Sequence, residues 1–438
     1  MVYNLTEQTA PSPRGGGALD FALEVAAVAT QKVHMRVNAW FGDDEIDLAF
    51  PSHWNITECR MTGHNAPALD DEQMRAVLRH PIGAPRLSEL ARGKKEVVIL
   101  FDDLPKPTPA SRIVPFVLEE LHAGGIADEH IRFLCAPGTH RPLIYAELAA
   151  KLGEDIVQKY NVYNHSIWDN LVNVGTTGSG TPVWVNREFV YCDLRVGVGS
   201  LIPHPNAGFG GGGKLVMPGI SGLETIDHHH KKYMGNPTMG LGKVDGNAFR
   251  ADLEECARLA GLHFKVDAVL NNKREVVGLY AGDFVAEHRE AAKQAHEVYY
   301  TEAIRDAELL VINGYPDESQ FVRSTWCVPL SLREGGDVVL ITFSHEGQNL
   351  HQWAGRFGTE FGGRQWKPGG RAKNLAKAAR VIVYAPRLSR LDRTELGAEE
   401  KVSWCKDWGE VLAELMPRHG HGAKVGVYPY ASVQMEVK

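Results

Sequence analysis

The chain has 438 residues, 44% of them hydrophobic and 23% charged, a mix that suits two or three folded cores and excludes general disorder. Its 47 Lys and Arg against 54 Asp and Glu leave a net charge of −7. Without a basic tail, that balance excludes a general nucleic-acid binder, which needs clustered cations to displace phosphate counterions.

The first apolar stretch, residues 18–29, is interrupted by Asp20 and Glu24, so no export signal is expected. No uncharged run reaches the roughly 18 residues of a membrane helix. The six cysteines lie far apart with no C-x-x-C pair, which points to reduced, buried thiols in a cytoplasmic protein. Residues 1–31 read as an extension, broken by Pro11, Pro13 and Gly15–Gly17. Residues 33–37 alternate as a strand does, and 45–50 form another after the turn at Gly42-Asp43-Asp44.

A repeating unit follows. Residues 96–101 are a buried-strand run, 113–123 a helix ending at Gly124-Gly125, 131–136 a strand and 144–152 a helix. That alternation implies parallel βαβ units. A helix over 287–304 joins the halves, apolar runs at 307–312, 338–343 and 379–384 mark a second set, and 425–428 is a last strand. The expected fold is α/β, with two domains of mainly parallel βαβ units and an active-site cleft between them. Residues 32–300 form the larger domain, to which 420–438 returns, and 305–415 the smaller.

Four segments carry candidate chemistry, each after a strand end, where open parallel sheets bind ligands. In Phe101–Pro109, three prolines hold a loop from which Asp103 and Lys106 project; the plain reading is a polar turn capped by Thr108. In Gly138-Thr139-His140-Arg141, an imidazole beside a guanidinium could serve as a base next to an anion clamp, or be a surface loop. Pro203-His204 leads into Gly208-Phe209-Gly210-Gly211-Gly212-Gly213-Lys214. This run matches two phosphate-loop patterns weakly, since Leu215 stands where a P-loop needs Ser or Thr. Four consecutive glycines are costly to order, which favours close backbone approach to a ligand, with Lys214 as its cation or covalent anchor. Finally, His228-His229-His230 on a helix spans ~200°, so one imidazole can turn inward as a ligand for nickel, zinc or copper while the others are solvated.

Together these segments resemble the nickel-dependent lactate racemase family and its 2-hydroxyacid racemase and epimerase relatives. The resemblance runs from about Lys32 through most of the chain. It includes Leu215–Ile220, Gly235-Asn236-Pro237, Asp245-Gly246-Asn247 and Gly314-Tyr315-Pro316, with His204, Lys214 and His230 spaced by 10 and 16 residues. It implies a nickel-pincer nucleotide, a pyridinium-3-thioamide-5-thiocarboxylic acid mononucleotide, joined covalently to Lys214, with nickel completed by His230. It further implies His140 and His204 as acid and base on opposite substrate faces, and Asp103 with Gly208, Gly210, Gly211, Gly212 and Gly213 around the cofactor. The partners implied are a small 2-hydroxy acid and the cofactor-synthesis enzymes. The chemistry is coherent, because the Cα proton of a 2-hydroxy acid is very weakly acidic. Oxidation to the keto acid and return of the hydride to the other face avoids removing it, and needs a base and a tethered hydride carrier.

Two departures bear on the substrate. Lys106 stands where the family usually has arginine, replacing a two-pronged clamp by a point charge. After Gly314-Tyr315-Pro316 the family shows a glutamine and, three residues later, a lysine. An ungapped count puts Arg323 and Trp326 there, with the carboxylate held by Lys106, Arg141 or Arg323 and the pocket reshaped by Trp326. The expected substrate is therefore larger or more polar than lactate. The alternatives are an NAD-dependent 2-hydroxyacid oxidoreductase using the glycine loop, and a catalytically silent nucleotide- or anion-binding homologue.

Overall fold

The computed structural model describes residues 30–345, 347–348, 373–387, 396 and 399–437. The expected extension lies, up to residue 29, outside the described residues. Two six-stranded sheets organise the chain. The first has the order Val276–Gly282, Phe264–Leu270, Leu194–Ser200, Val97–Asp102, Ile131–Ala136, Asn161–Asn164. Its neighbours pair in parallel except at the Val276–Gly282 edge. All six residues of Val97–Asp102 are buried, as a central parallel strand covered by helices on both faces requires. Each buried aliphatic or phenyl side chain there contributes roughly 1.5–3 kcal/mol.

The helix Ala110–Ala123 covers one face, with Ile113, Val114, Val117 and Leu121 buried at helical spacing. Phe249, Leu253, Ala257 and Ala260 of the helix Ala248–Ala260 lie in the core on the other face, with Val98 and Leu100. Ala286–Tyr299 is the expected joining helix, shorter than its sequence pattern suggested.

The second sheet is parallel throughout, in the order Val402–Cys405, Arg380–Tyr384, Leu332–Ile341, Ala307–Asn313, Lys424–Tyr428, Asn55–Glu58. Here the structure departs from the expected partition. The last strand pairs with Ala307–Asn313 and Asn55–Glu58, so it returns to the second sheet and not to the first. The hairpin Thr30–Val37/Asp44–Pro51 also buries Val33, Met35, Leu48 and Phe50 against Leu309, Val311 and Val339 of that sheet. A period-two pattern specifies one buried face without saying which sheet covers it. Only the tail beyond Tyr428 reaches back, where the Thr301 amide donates to the Met435 carbonyl at 2.8 Å.

All six cysteines are buried and free of disulfides. Among the described residues no helix is long and apolar enough to cross a membrane.

Candidate active site

Three adjacent strands of the first sheet end at one cavity. Val97–Asp102, Ile131–Ala136 and Leu194–Ser200 deliver Asp102, Ala136 and Ser200 to its wall. From Val97–Asp102 the chain builds outward on one side and later returns on the other, and such a switch in strand order opens a crevice at the carboxyl ends. The cavity holds about 410 Å³, enough for a small organic ligand.

The proline loop is pinned from below. Fully buried Lys151 lies 2.6 Å from Asp102 Oδ1 and donates to the carbonyls of Asp103 at 3.0 Å and Lys106 at 2.7 Å. The Thr108 hydroxyl bridges Asp102 Oδ2 at 2.5 Å and Ser200 Oγ at 2.7 Å. Thus fixed, Asp103 places Oδ2 2.6 Å from His140 Nδ1. Burial opposes ionisation of Asp103, but His140 and Lys106 outweigh it and hold the carboxyl below its ordinary range. An aspartate on Nδ1 fixes the imidazole tautomer with its lone pair on Nε2, which accepts from the Gln320 side-chain amide at 3.1 Å. Lys106 lines the cavity, and its ammonium makes no ion pair with a described residue.

His204 is held differently. Its Nδ1 accepts from the backbone amides of Asn206 at 3.2 Å and Ala207 at 3.1 Å, within the two-residue ladder of Pro203–His204 with Gly208–Phe209. Burial, reinforced by Lys214, Arg323, Lys106 and Arg250, pushes its pKa well below the ordinary imidazole value. Lys214, on the short turn Gly212–Leu215, is treated likewise: burial and the cations Arg250, Lys106 and Arg323 depress its ammonium strongly. Its Nζ sits 6.0 Å from the Phe249 ring centre. A lysine so placed favours the neutral amine, the nucleophilic form.

The three histidines part company on the helix Leu223–Tyr233. His228 is exposed, whereas His229 is fully buried with Nε2 3.0 Å from the Phe249 carbonyl. Two of the three are therefore interior, where one was expected. His230 lines the cavity, and its Nδ1 donates to the Ile226 carbonyl at 2.9 Å, leaving the ring's lone pair on Nε2. Burial lowers its pKa to about 3, so it stays neutral as a metal ligand must. Among the described residues no three His, Cys, Asp or Glu side chains converge as a metal site. A group that carries its own sulfur donors would need only one protein ligand.

Several expected site residues lie elsewhere. Of the loop glycines, Gly210 and Gly211 line the cavity, whereas Gly208, Gly212 and Gly213 do not. A Cβ on Gly208 would come within 2.4 Å of the Lys243 carbonyl oxygen, and one on Gly213 within 3.0 Å of Ala257 Cβ, so close packing selects glycine there. The Gly212 amide donates to Asp267 Oδ2 at 2.6 Å. Arg141 turns from the cavity to a two-pronged pair with Glu147, at 2.6 and 2.8 Å. Trp326 also lies off the cavity, donating Nε1 to the Ala431 carbonyl at 2.9 Å and packing edge-on to Tyr428.

In its place the second unit contributes Gln320 and Arg323 to the wall. Arg323 pairs with Asp317 at 2.5 Å and donates to the Pro203 carbonyl at 3.1 Å, beside His204. A glutamine followed three residues later by a cation is therefore present, three residues before the ungapped count.

Sequence reasoning missed Gln320, Lys151 and three buried supports of the glycine loop. Arg250 donates to the Ala207 carbonyl at 2.7 Å and also to that of Phe209, His288 donates to the Gly210 carbonyl at 2.8 Å, and Asp267 holds Gly212. Little in the local sequence marks these residues; for Arg250 the usable signal was an arginine beside the apolar face formed by Phe249, Leu253 and Ala257, which proves fully buried.

Known proteins share this arrangement of elements. Over 293 residues the chain is 33% identical to the lactate racemase of Lactiplantibacillus plantarum, covering 65% of this chain and 69% of that protein. The chain belongs to the lactate racemase family. The family's N-terminal domain model matches residues 41–242, the segment that carries Asp103, His140, His204, Lys214 and His230. The lactate racemase of Thermoanaerobacterium thermosaccharolyticum is 28% identical over 295 residues, with the same two coverages. The solved apoprotein structure of the lactate racemase from T. thermosaccharolyticum superposes with a TM-score of 0.70 at 22% identity, covering 92% of this chain and 99% of that one. A Thermotoga maritima protein of solved structure follows at 0.63, 18% identical, over 85% and 99%. These superpositions speak for a shared fold of two α/β units.

Proposed function

We propose that the chain is a racemase or epimerase acting at C2 of a 2-hydroxy acid, with a nickel-pincer nucleotide attached at Lys214. The observation that carries this reading is the meeting of a depressed lysine, a neutral histidine and an Asp–His pair around one cavity. The residues fit the cofactor: Lys214 would hold it covalently, and His230 would ligate the metal through Nε2. Once bound, the pyridinium ring supplies an acceptor for the C2 hydride.

The chain's own residues account for the remaining steps. His140 Nε2, with Asp103 behind it, takes the hydroxyl proton of the substrate and stabilises the resulting imidazolium. His204 faces the same cavity as the second imidazole. Lys106 and Arg323 hold the carboxylate and any second polar group, which favours a substrate larger or more polar than lactate. Gln320 caps His140 until substrate displaces it. The segment bearing Gln320 and Arg323 closes the cavity over the strand ends and keeps water from a reactive keto acid.

The test is to make the protein together with the cofactor-synthesis enzymes, then measure intact mass and nickel. One adduct per chain, lost in Lys214→Ala, supports the reading. Substrate deuterated at C2 should invert with its label retained. Washout of the label to solvent would mean direct proton abstraction, and full activity of Lys214→Ala with added NAD would favour a dehydrogenase.

A further inference from the structure

We propose that Glu287 works as a buried carboxylic acid that shares its proton with Asp267, and that this carboxyl pair positions the turn carrying Lys214. The proposal rests on the reading of Lys214 as the attachment point and names the acid beneath it. Glu287, Asp267 and Lys265 are all fully buried. Asp267 is engaged at both oxygens: Oδ1 lies 2.5 Å from the Lys265 ammonium, and Oδ2 accepts from the Gly212 amide at 2.6 Å. It lies directly under the glycine loop, since a Cβ on Gly211 would fall 2.7 Å from its Oδ2. Glu287 faces this carboxylate at hydrogen-bond range, and Lys265 and Arg250 are the cations that act on it.

Neither oxygen of Glu287 receives a hydrogen bond from a described residue. The helix Ala286–Tyr299 begins beside it, but the amides there are already engaged. Those of Val285 and Ala286 donate to Asp283 Oδ1 at 3.0 Å, and those of Glu287 and Arg289 donate to the Asp283 and Val285 carbonyls. Lys265 is committed to Asp267 and the Val266 carbonyl, and Arg250 to Glu254 and the loop carbonyls. His288, the next residue, gives its ring N–H to the Gly210 carbonyl at 2.8 Å. An ionised Glu287 would be a second buried carboxylate against Asp267 with no donor of its own, which is strongly unfavourable. Burial, with Asp267 beside it, accordingly pushes its pKa well above the ordinary carboxyl value. A neutral Glu287 has one O–H to donate, and Asp267 is the acceptor that faces it. Asp267 is then held by Lys265, Gly212 and Glu287 together. Gly211 and Gly212 have φ of +71° and +56°, so the turn carries glycine's conformational freedom and needs such an anchor. The Lys214 amide donates to the Gly211 carbonyl at 3.2 Å, so whatever fixes these glycines fixes the root of Lys214.

The first measurement uses the cofactor-free chain labelled with 13C at the glutamate side-chain carboxyl, the Glu287 signal being assigned by its loss in Glu287→Gln. Between pH 6 and 8 that signal should have the shift of a carboxylic acid; the shift of a carboxylate would overturn the proposal. Hydrogen exchange over residues 208–215 of the same chain reads the anchoring. Glu287→Leu removes the donor and should speed exchange at the Gly212 amide about 10-fold. Glu287→Gln keeps a neutral donor and should restore protection to within about twofold. Equal protection in Glu287→Leu and the parent chain, or its loss in Glu287→Gln, would overturn the positioning role. Should Glu287→Leu not fold, the carboxyl shift and the Gln variant still decide. In protein made with the cofactor-synthesis enzymes, the Lys214 adduct should form about 10-fold more slowly in Glu287→Leu and recover in Glu287→Gln. A parent chain that takes no adduct would defeat the attachment reading, while the carboxyl shift and the exchange rates test the pair independently.

Discussion

The two sheets contribute unequally to the cavity. The first sheet brings Asp103, His140, His204 and Lys214 to the cavity from loops after its strand ends; Lys151 holds the Asp103 carbonyl from below, Asp103 holds His140, two loop amides hold His204, and Asp267 fixes Gly212 next to Lys214. The second sheet supplies one segment, from which Gln320 and Arg323 reach across. On the proposed reading, the first unit fixes the reacting groups and the second covers and selects. Reacting atoms need a rigid shell, whereas a wall that admits substrate must be able to part from its partner.

Variants should sort by this division. Lys214→Ala in the first unit should abolish adduct formation and activity together, read by intact mass and turnover. Any retained adduct would break the comparison at its strongest point. Arg323→Gln, in the second unit, should raise KM about 10- to 100-fold with a smaller change in kcat, since it removes a charged hydrogen bond to a carboxylate. A kcat loss as large as that of His140→Gln would place the second unit in the chemistry and not the wall.

Acid stability sharpens the contrast further. Burial pushes His165 and His229 down to about 4 and His230 to about 3, and all three lie in the first unit. Their folded pKa values lie below the unfolded value of about 6.5, so below that pH the unfolded chain binds more protons. Stability should therefore fall as pH drops from about 6.5 towards 4, by up to about 2 kcal/mol per histidine at pH 5. Thermal unfolding at pH 7 and pH 5 would show it, and His165→Asn should flatten the slope. The smallest effect is expected at Trp326. Trp326→Phe removes one hydrogen bond outside the cavity lining, costing about 1 kcal/mol of stability and leaving turnover within about twofold.

The sequence by itself determined the elements and named many of the residues that meet at the cavity. Buried-strand runs and helical spacing placed Val97–Asp102, Ala110–Ala123 and Ile131–Ala136 to within three residues, because local propensity and burial there agree. His140, His204, Lys214 and His230 were legible because their chemistry stood beside strand ends and glycines. What only the tertiary structure decided was pairing and direction. The last strand could have joined either sheet, and an apolar alternating run carries no mark of its neighbour. Arg141 looked like an anion clamp until Glu147 took both its prongs. Counting along the chain put Trp326 in the pocket, whereas the fold puts Gln320 and Arg323 there. The orientation of each imidazole was beyond sequence altogether, since a ring's tautomer is set by whichever carboxylate or amide the fold brings to its other nitrogen.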